Sequence, residues 1–351
     1  MVQSALLEKT SSPRPRTSRN EIRNVGNSID TQLADVEALM RSYASPYSAE
    51  KTHAIFGEHL NSGGKRLRAR VALSAGRALG VGPKASVGWA AAVELMHNAT
   101  LIHDDIQDED KLRRGEPTTW AKHGVAQAIN VGDLGLMLPF AAVGALPSPP
   151  RVRSALSALL AHHGIRTAQG QTLTLGDLDS TELSVEGYEK RTVLVTGSFF
   201  SLPVEGTAVM AGSRTEEAKR LGNCFAILGT LFQIQDDIID LYGLKGREAP
   251  GGDIRDGKVS ALVVKHLKLS PGDRNWLLAI LRRPRTDTST EDIEAVKAVF
   301  LKSGAVSSCL EWIDELATKS LASPPLISHP AMRAMAEDFI RVVQEHLAVL
   351  R

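Results

Sequence analysis

The sequence contains the motif Asp-Asp-x-x-Asp twice, at residues 104–108 and 236–240. Each copy continues a segment whose apolar residues recur every three or four positions, which predicts an α-helix. The first and last carboxylates of each motif then project from the same helix face as the apolar side chains. Burying like charges on such a face is costly unless cations lie among them. The duplicated motif therefore predicts a helical fold in which two acidic helix faces meet around cations.

A single Asp-Asp-x-x-Asp motif more often indicates a solvated helix face or a helix N-cap. Two copies on apolar stripes, each followed by basic residues, favour a paired metal site instead. Carboxylate oxygens suit Mg²⁺, which keeps several waters and shares the oxygens of a phosphate ligand. The residues that share the two predicted faces are Val93, His97, Thr100, Asp104 and Asp108, and Phe225, Leu228, Phe232, Asp236 and Asp240.

The rest of the chain also reads as a succession of helices. Breaks fall at clusters of glycine and proline, and no segment alternates with the period of two that a strand requires. We predict an all-α bundle of ten or more helices, in which the two aspartate helices face each other across a central cavity. It forms a single domain over residues 28–351. Residues 1–27 are polar and aperiodic, which predicts a disordered tail.

Composition excludes several classes of protein. The formal net charge is +1, which gives no reason to expect binding to nucleic acid. The two cysteines, Cys224 and Cys309, exclude a disulfide framework and fit a reducing cytosol, so the predicted location is cytoplasmic. A transmembrane helix needs roughly 20 apolar residues, and we expect no apolar run of that length here. Stable membrane insertion is therefore not expected. Glycine-rich nucleotide-binding loops are also absent from the sequence.

Basic residues follow or precede each acidic motif, where they would bind the same phosphate ligand. Gly63 and Gly64 open a predicted helix whose N-terminal amides favour an anion, with Lys65 and Arg68 on one face. The basic residues after the two motifs are Arg113, Arg114, Arg255, Lys258 and Lys265. Each alone would indicate a solvated surface charge, and His97 alone would indicate a structural core histidine. Their recurrence beside both motifs favours a site that binds phosphate.

These motifs together resemble those of the trans-isoprenyl diphosphate synthases (polyprenyl synthetases), and most closely the geranylgeranyl diphosphate synthases. The resemblance covers roughly residues 50–270, with the glycine-rich basic motif and both aspartate motifs in the family's order. It implies the all-α isoprenoid-synthase fold, usually as a homodimer. It also implies the Mg²⁺-dependent head-to-tail addition of isopentenyl diphosphate to an allylic diphosphate.

The resemblance also implies roles for individual residues. The catalytic aspartates are Asp104, Asp105, Asp108, Asp236, Asp237 and Asp240. Those that match Mg²⁺ ligands are Asp104, Asp108 and Asp236, for three ions in each active site. The isopentenyl diphosphate contacts are Lys65, Arg68, His97 and Arg114, and the allylic diphosphate contacts are Arg113, Thr196, Gln235 and Lys258.

Three features depart from the family pattern. Val195 stands where the family has a diphosphate-binding lysine, and Lys190 and Arg191, about one turn upstream, are the candidates to replace it. Thr174 replaces a family aspartate. The segment 245–253 is longer than in many members, which leaves its lysine equivalent open between two basic residues, Lys245 and Arg247.

Product length depends in this family on side chains just before the first aspartate motif. A large aromatic residue five positions before that motif tends to limit products to fifteen carbons. Here that position is Ala99, followed by Thr100, and both side chains are small. Met96, one turn deeper, is then the next obstruction. We therefore predict geranylgeranyl diphosphate (C20), with farnesyl diphosphate or a longer product as alternatives.

Two other functions fit part of the pattern. A terpene cyclase of the same fold ionises a prenyl diphosphate but commonly lacks the second set of basic residues. A non-catalytic regulatory subunit of a prenyl diphosphate synthase would be expected to have lost one aspartate motif. Because both motifs and both basic sets are present, the sequence favours the synthase.

Overall fold

Helices make up nearly all the regular structure in the computed structural model of the protein. The structure describes residues 19–44, 50–176, 178, 183–243 and 250–350. The helices are α1 (Arg19–Ala44), α2 (Lys51–Asn61), α3 (Leu67–Ala78), α4 (Pro83–Gln107), α5 (Thr119–His123), α6 (Val125–Gly144), α7 (Pro150–Gly176), α8 (Val185–Leu194), α9 (Thr196–Met210), α10 (Thr215–Tyr242), α11 (Gly252–Arg255), α12 (Ala261–Leu269), α13 (Arg274–Leu281), α14 (Thr290–Lys302), α15 (Ala305–Leu321), α16 (Pro324–Ser328) and α17 (Pro330–His346). The predicted all-α fold class is confirmed.

The two aspartate motifs occupy equivalent positions at the C-terminal ends of long helices. Helix α4 begins at Pro83, whose fixed φ suits the first helical position, and its C-cap is Asp108. The C-cap of helix α10 is Gly243, with a φ of +76°. This is the left-handed conformation that glycine adopts readily. Because a helix carries partial negative charge at its C-terminus, both motifs lie where further negative charge is unfavourable without cations.

Helix α9 separates two hydrophobic cores. One core surrounds α4 and includes the fully buried Trp89, with Phe199 of α9. The other surrounds α10 and includes the buried Phe225, with Phe200 of α9. Successive residues of α9 therefore pack into different cores, and this helix fixes α4 and α10 relative to each other.

Helices α9 and α10 cross at unusually short distance because glycines meet there. A Cβ atom added at Gly229 would lie 3.0 Å from the Cα of Gly197, too close for any larger residue. The chain bends by 42° between α8 and α9, at Val195. Together these features place Thr196, the first residue of α9, beside α10 near the second aspartate motif.

Helix α1 begins at Arg19, inside the predicted tail of residues 1–27. Residues 1–18 lie outside the described residues, so disorder there stays a prediction. The single domain over residues 28–351 likewise stays a prediction.

One helix corrects the expectation about apolar runs. Helix α6 spans the 20 residues Val125–Gly144 and is long and apolar enough to cross a membrane by length and composition. Its buried side chains pack against α4 and α2, which is one reason for its apolar sequence. In the described part of the chain, no other single helix meets that test, although the bent pair α8 and α9 meets it together.

Candidate active site

The two adjacent carboxylates of the first aspartate motif, Asp104 and Asp105, differ in burial and in their hydrogen bonds. Asp105 is fully buried and accepts hydrogen bonds from Arg113, 2.6 Å from Nε and 2.5 Å from Nη2. Asp104 is half-buried, and among the described residues its carboxylate accepts no hydrogen bond. Burial, and then the neighbouring charge of Asp108, raise the pKa of Asp104 to about 7. Asp104 therefore lies near the cations Arg113 and Lys258 but accepts no hydrogen bond from the described residues.

The second motif shows the same division. Asp237 is buried and accepts hydrogen bonds from Tyr188 Oη at 2.8 Å, Gln233 Nε2 at 2.8 Å and the backbone N–H of Ala261 at 2.7 Å. Burial still raises its pKa, against these hydrogen bonds. Since both of its carboxylate oxygens already accept hydrogen bonds, Asp237 holds the local structure. Its neighbour Asp236 lies near enough to Arg68 to oppose the lowering of the arginine's pKa by burial.

Lys258 connects the two motifs. Its Nζ lies 2.9 Å from Asp108 Oδ2 of the first motif and 3.6 Å from Asp256 Oδ2. Burial disfavours the charged ammonium, but the carboxylates of Asp253 and Asp108 outweigh it and raise the pKa of Lys258. Asp253 in turn donates its backbone N–H to Asp240 Oδ2 of the second motif at 3.0 Å. Both motifs therefore border one charged cluster.

A short hairpin, absent from the sequence prediction, positions the two arginines after the first motif. Strands β1 (Leu112–Arg113) and β2 (Glu116–Pro117) pair antiparallel. The turn residues Arg114 and Gly115 have φ values of +58° and +82°, as a type I′ turn requires. Arg114 donates a hydrogen bond to the carbonyl of Gly63. A Cβ atom at Gly64 would lie 2.7 Å from Arg114 Nη2, so glycine is needed there to admit the guanidinium.

The basic motif before α3 differs from its prediction. Helix α3 begins only at Leu67, and Arg66 is its N-cap with a φ of +47°. Lys65 is therefore exposed on the preceding loop and does not share a helix face with Arg68. Arg66 is buried and donates to the carbonyl of Leu60 at 2.7 Å, which gives it a structural role. Arg68 is half-buried, with its guanidinium carbon 5.6 Å from the ring centroid of Phe200.

The anion at the N-terminus of α3 is a side chain of the protein. Oε2 of Glu94, a buried residue of α4, accepts the backbone N–H of Ala69 at 3.0 Å. Its charge also favours the charged form of Arg68, whose pKa burial lowers. The prediction that these amides bind the ligand is wrong for the N–H of Ala69, since Glu94 already binds it. Sequence reasoning missed Glu94, which lies among apolar residues of α4.

Two histidines lie among the basic residues. His97 is half-buried, and its Nδ1 has no hydrogen-bond partner in the described part of the chain. Burial and then Arg68 and Arg113 hold its pKa well below the usual range. His59 was not predicted; burial, then Arg113 and Arg114, lower its pKa to about 3. Its position one turn before the glycine pair is the only sequence signal that could have found it.

The structure separates the two glutamines before the second motif. Thr196 Oγ1 donates to Gln233 Oε1 at 2.8 Å, and Gln233 in turn donates to Asp237. Gln235 is buried, and its amide donates to the carbonyl of Val343 in α17 at 3.1 Å. The structure therefore does not bring Gln235 to the aspartates, and Gln233 lies there instead.

At the positions that depart from the family pattern, the side chains make contacts within the protein. The side chain of Val195 lies against Gly170, where a Cβ atom would be 2.6 Å from it. Arg191 donates to the carbonyl of Val259, so it supports the loop beside Lys258. Lys190 is exposed. Thr174 Oγ1 donates within α7 to the carbonyl of Gly170 at 3.2 Å. The two remaining candidates, Lys245 and Arg247, lie outside the described residues.

Three residues were predicted to control product length, and only two of them lie on the same helix face as Asp104. Ala99 is fully buried and lies against Gly135 of α6, where a Cβ atom would be 2.8 Å from the Ala99 Cβ and 2.6 Å from Phe56. Thr100 is half-buried, one helical turn before Asp104. Met96 is 4% exposed, with its Cε against Gly164 of α7. Ala99 therefore faces α2 and α6, whereas Thr100 and Met96 continue the face of Asp104.

The acidic residues fit a cation that is shared with a phosphate ligand. In the described part of the chain, no three His, Cys, Asp or Glu side chains converge to hold a metal ion by themselves. Asp104 and Asp108 nevertheless stand one turn apart at a helix C-terminus, and Asp104 accepts no hydrogen bond from the described residues. Mg²⁺ commonly takes one or two protein carboxylates and completes its coordination with water and phosphate oxygens. The donor set therefore fits Mg²⁺ bound jointly by protein and diphosphate.

Comparison with known proteins gives consistent matches. The family model for polyprenyl synthetase matches residues 50–299. The chain is 31% identical over 297 residues to a short chain isoprenyl diphosphate synthase of Methanothermobacter thermautotrophicus, covering 84% of this chain and 83% of that one. It is 31% identical over 264 residues to the geranylgeranyl diphosphate synthase of Sulfolobus acidocaldarius, covering 72% and 77%. Among solved structures, polyprenyl synthase from Caulobacter crescentus, complexed with calcium and isoprenyl diphosphate, aligns with a TM-score of 0.78 at 26% identity, covering 94% of this chain and 98% of that one.

Proposed function

Because this chain belongs to the polyprenyl synthetase family of trans-isoprenyl diphosphate synthases and is a prenyltransferase, we propose that it makes geranylgeranyl diphosphate. In this reaction isopentenyl diphosphate adds head-to-tail to an allylic diphosphate in the presence of Mg²⁺. The observation that carries the proposal is the contact of Lys258 with Asp108, which joins both aspartate motifs in one charged cluster. The basic residues around that cluster provide for a second diphosphate.

The allylic diphosphate binds between the two motifs. Asp104, Asp108 and Asp236 would hold three Mg²⁺ ions, which neutralise the diphosphate and make it a better leaving group. Lys258 exchanges its contact with Asp108 for the diphosphate, and Arg113, held by Asp105, faces the same ligand. These cations are in place before charge develops on the leaving group, which is how electrostatic stabilisation lowers the barrier.

Isopentenyl diphosphate binds to the second basic set. Lys65 and Arg68 flank the start of α3, and Arg114 is held against the glycine loop. His97 is kept neutral by burial and by the nearby arginines, so it donates a hydrogen bond without adding charge. The double bond of isopentenyl diphosphate attacks the allylic cation, and the released diphosphate accepts the proton that is lost. The mechanism therefore needs no side-chain base.

The wild-type protein tests the proposal directly. Purified protein is incubated with Mg²⁺, isopentenyl diphosphate and each of the C5, C10 and C15 allylic diphosphates, and the products are sized by chromatography. We expect C20 as the main product from each primer, and no product without Mg²⁺. Hydrolysed or cyclised products without incorporation of isopentenyl diphosphate would support a terpene cyclase. A complete lack of turnover would support a regulatory subunit.

Product length is proposed to depend on Thr100 and Met96. We expect Thr100→Tyr to shorten the main product to fifteen carbons, because the ring fills the space one turn below Asp104. Ala99→Tyr should instead overpack the contact with Gly135 and lower stability by about 1–3 kcal/mol. Chromatographic sizing of products and thermal unfolding separate the two effects. Thr318→Tyr, at an exposed position of α15, is the control, and a C20 product from Thr100→Tyr would contradict the assignment.

The exposed face of α6 supports the proposed homodimer. Ile129 is 44% and Met137 59% exposed, and Phe140, about one turn after Met137, is half-buried. Apolar faces of this kind mark protein interfaces when they are contiguous. We expect Met137→Asp to convert a dimer into a monomer in sedimentation velocity measurements. Ile327→Asp, whose wild-type side chain is equally exposed at 59% but lies on α16, should leave the mass unchanged. A monomeric wild-type protein would reject the dimer.

No observation favours the terpene cyclase or the regulatory subunit over the synthase, since both motifs and both basic sets border the cluster. The cytoplasmic location stays a prediction.

A further inference from the structure

Arg285 lies outside both aspartate motifs and the basic motif before α3. It contacts two acidic residues on different loops beside the charged cluster. Its Nη1 lies 2.9 Å from Asp110 Oδ1, just after the first motif. The same atom lies 2.7 Å from Asp256 Oδ1, in the loop before Lys258. Arg285 therefore ties the loop after α4 to the loop after α11.

Asp256 is shared between two cations. Its side chain is only 9% exposed, and burial raises its pKa, opposed by Lys258 and Arg285. Lys258 Nζ lies 3.6 Å from Asp256 but 2.9 Å from Asp108. In the structure, Lys258 thus makes its shorter contact toward the aspartate motif, while Arg285 makes the shorter contact with Asp256.

The fold holds Arg285 against this loop. Gly257 has a φ of +68°, and a Cβ atom there would collide with the carbonyl oxygen of Leu281 at the end of α13. Arg282 donates to the carbonyl of Leu178 at 3.0 Å. The turn between Asp256 and Lys258 is therefore packed against the end of α13, four residues before Arg285, whose own side chain is 43% exposed.

We propose that Arg285 is a positioning residue, which neutralises Asp256 and so leaves the ammonium of Lys258 to bind the allylic diphosphate. The inference rests on the proposed function for the identity of that ligand. Without Arg285, the charge of Asp256 would be balanced mainly by Lys258. Attraction between a buried carboxylate and an ammonium at this distance is strong in a medium of low dielectric constant. Lys258 would then be drawn away from the diphosphate.

Binding of inorganic pyrophosphate in the presence of Mg²⁺, measured by titration calorimetry, tests this without catalysis. We expect Arg285→Ala to weaken binding about tenfold, the size of effect expected when one charged hydrogen bond is diverted. Asp256→Asn combined with Arg285→Ala should restore binding to within about twofold, because the competing charge is gone. Arg283→Ala is the matched control, since Arg283 lies two residues away and pairs with Asp292 at 2.8 Å.

Steady-state kinetics provide the second measurement. In Arg285→Ala, the KM for the allylic diphosphate should rise about tenfold, while kcat and the KM for isopentenyl diphosphate change less than about twofold. Arg285→Gln, which keeps most of the side-chain length, replaces the alanine variant if that one does not fold.

Two results would overturn the inference: unchanged pyrophosphate binding in the Arg285 variant, or a double variant that binds as weakly as the single one. The second would show that Arg285 only holds the loop in place. Failure of the wild-type protein to make prenyl diphosphates would reject the proposed function instead, and the pyrophosphate measurement would still decide the role of Arg285.

Discussion

Replacing Asp104 or Asp236 with alanine is expected to lower kcat by about a hundredfold to a thousandfold while leaving the fold intact. Each carboxylate is proposed to hold Mg²⁺ at the leaving group, and loss of one preorganised electrostatic contact there has effects of this size. Stability should hardly change in the Asp104 variant, because that carboxylate accepts no hydrogen bond from the described residues and is disfavoured by burial and by Asp108.

The measurement is the rate of prenyl diphosphate synthesis at saturating substrates, with thermal unfolding run on the same samples. Asp338→Ala is the control, because Asp338 is exposed on α17 and pairs only with Arg341 among the described residues. Near-normal activity in either the Asp104 or the Asp236 variant would reject the paired metal site.

The neighbouring substitution Asp237→Ala should act on stability. It leaves the hydroxyl of Tyr188, the amide of Gln233 and the N–H of Ala261 without their acceptor. Each buried polar group left unsatisfied costs about 1–3 kcal/mol, so the free energy of unfolding should fall by about 3 kcal/mol or more. Urea unfolding measures the change.

Two variants sharpen that comparison. Asp237→Asn keeps one acceptor oxygen, so it should lose less stability than Asp237→Ala. Asp236→Ala, one residue away, should lose activity with a much smaller loss of stability. If Asp236→Ala and Asp237→Ala proved equally destabilising, the division of labour within the motif would be wrong.

This division has a simple physical origin. Consecutive residues of a helix point about 100° apart, so one carboxylate of each Asp-Asp pair turns toward the neighbouring helices and hairpin. There it accepts hydrogen bonds from those groups, as Oδ1 of Asp105 does from Arg113. The other carboxylate of each pair, Asp104 or Asp236, is the one proposed to hold Mg²⁺. A duplicated motif would thus supply both the proposed metal ligands and the supports that hold nearby groups.

The basic motif before α3 also contains a residue with a structural role. Arg66 lies between Lys65 and Arg68 in sequence, yet its left-handed backbone conformation turns it into the protein. There it also donates to Glu37 of α1 at 3.2 Å. Removing Arg66 would therefore disturb the packing of α1 and α2 before it affected any substrate.

The sequence by itself determined the all-α class, the two helices that carry the aspartates, and the family. It did so because helical periodicity and motif spacing are local properties of the chain. The order of basic and acidic motifs was equally visible. Asp108, Asp240 and Lys258 were therefore named in advance, whereas Asp253, Asp256 and Arg285 of the same charged cluster were not.

Only the tertiary structure decided which neighbour of each pair reaches the site. Gln233 lies beside Asp237 while Gln235 bonds to α17, and Ala99 faces α6 while Thr100 continues the face of Asp104. The periodicity of a helix fixes which residues share a face, but not which partner that face meets. The partner depends on how α9, α10 and the loops pack, and that packing is set by contacts between residues far apart in the chain.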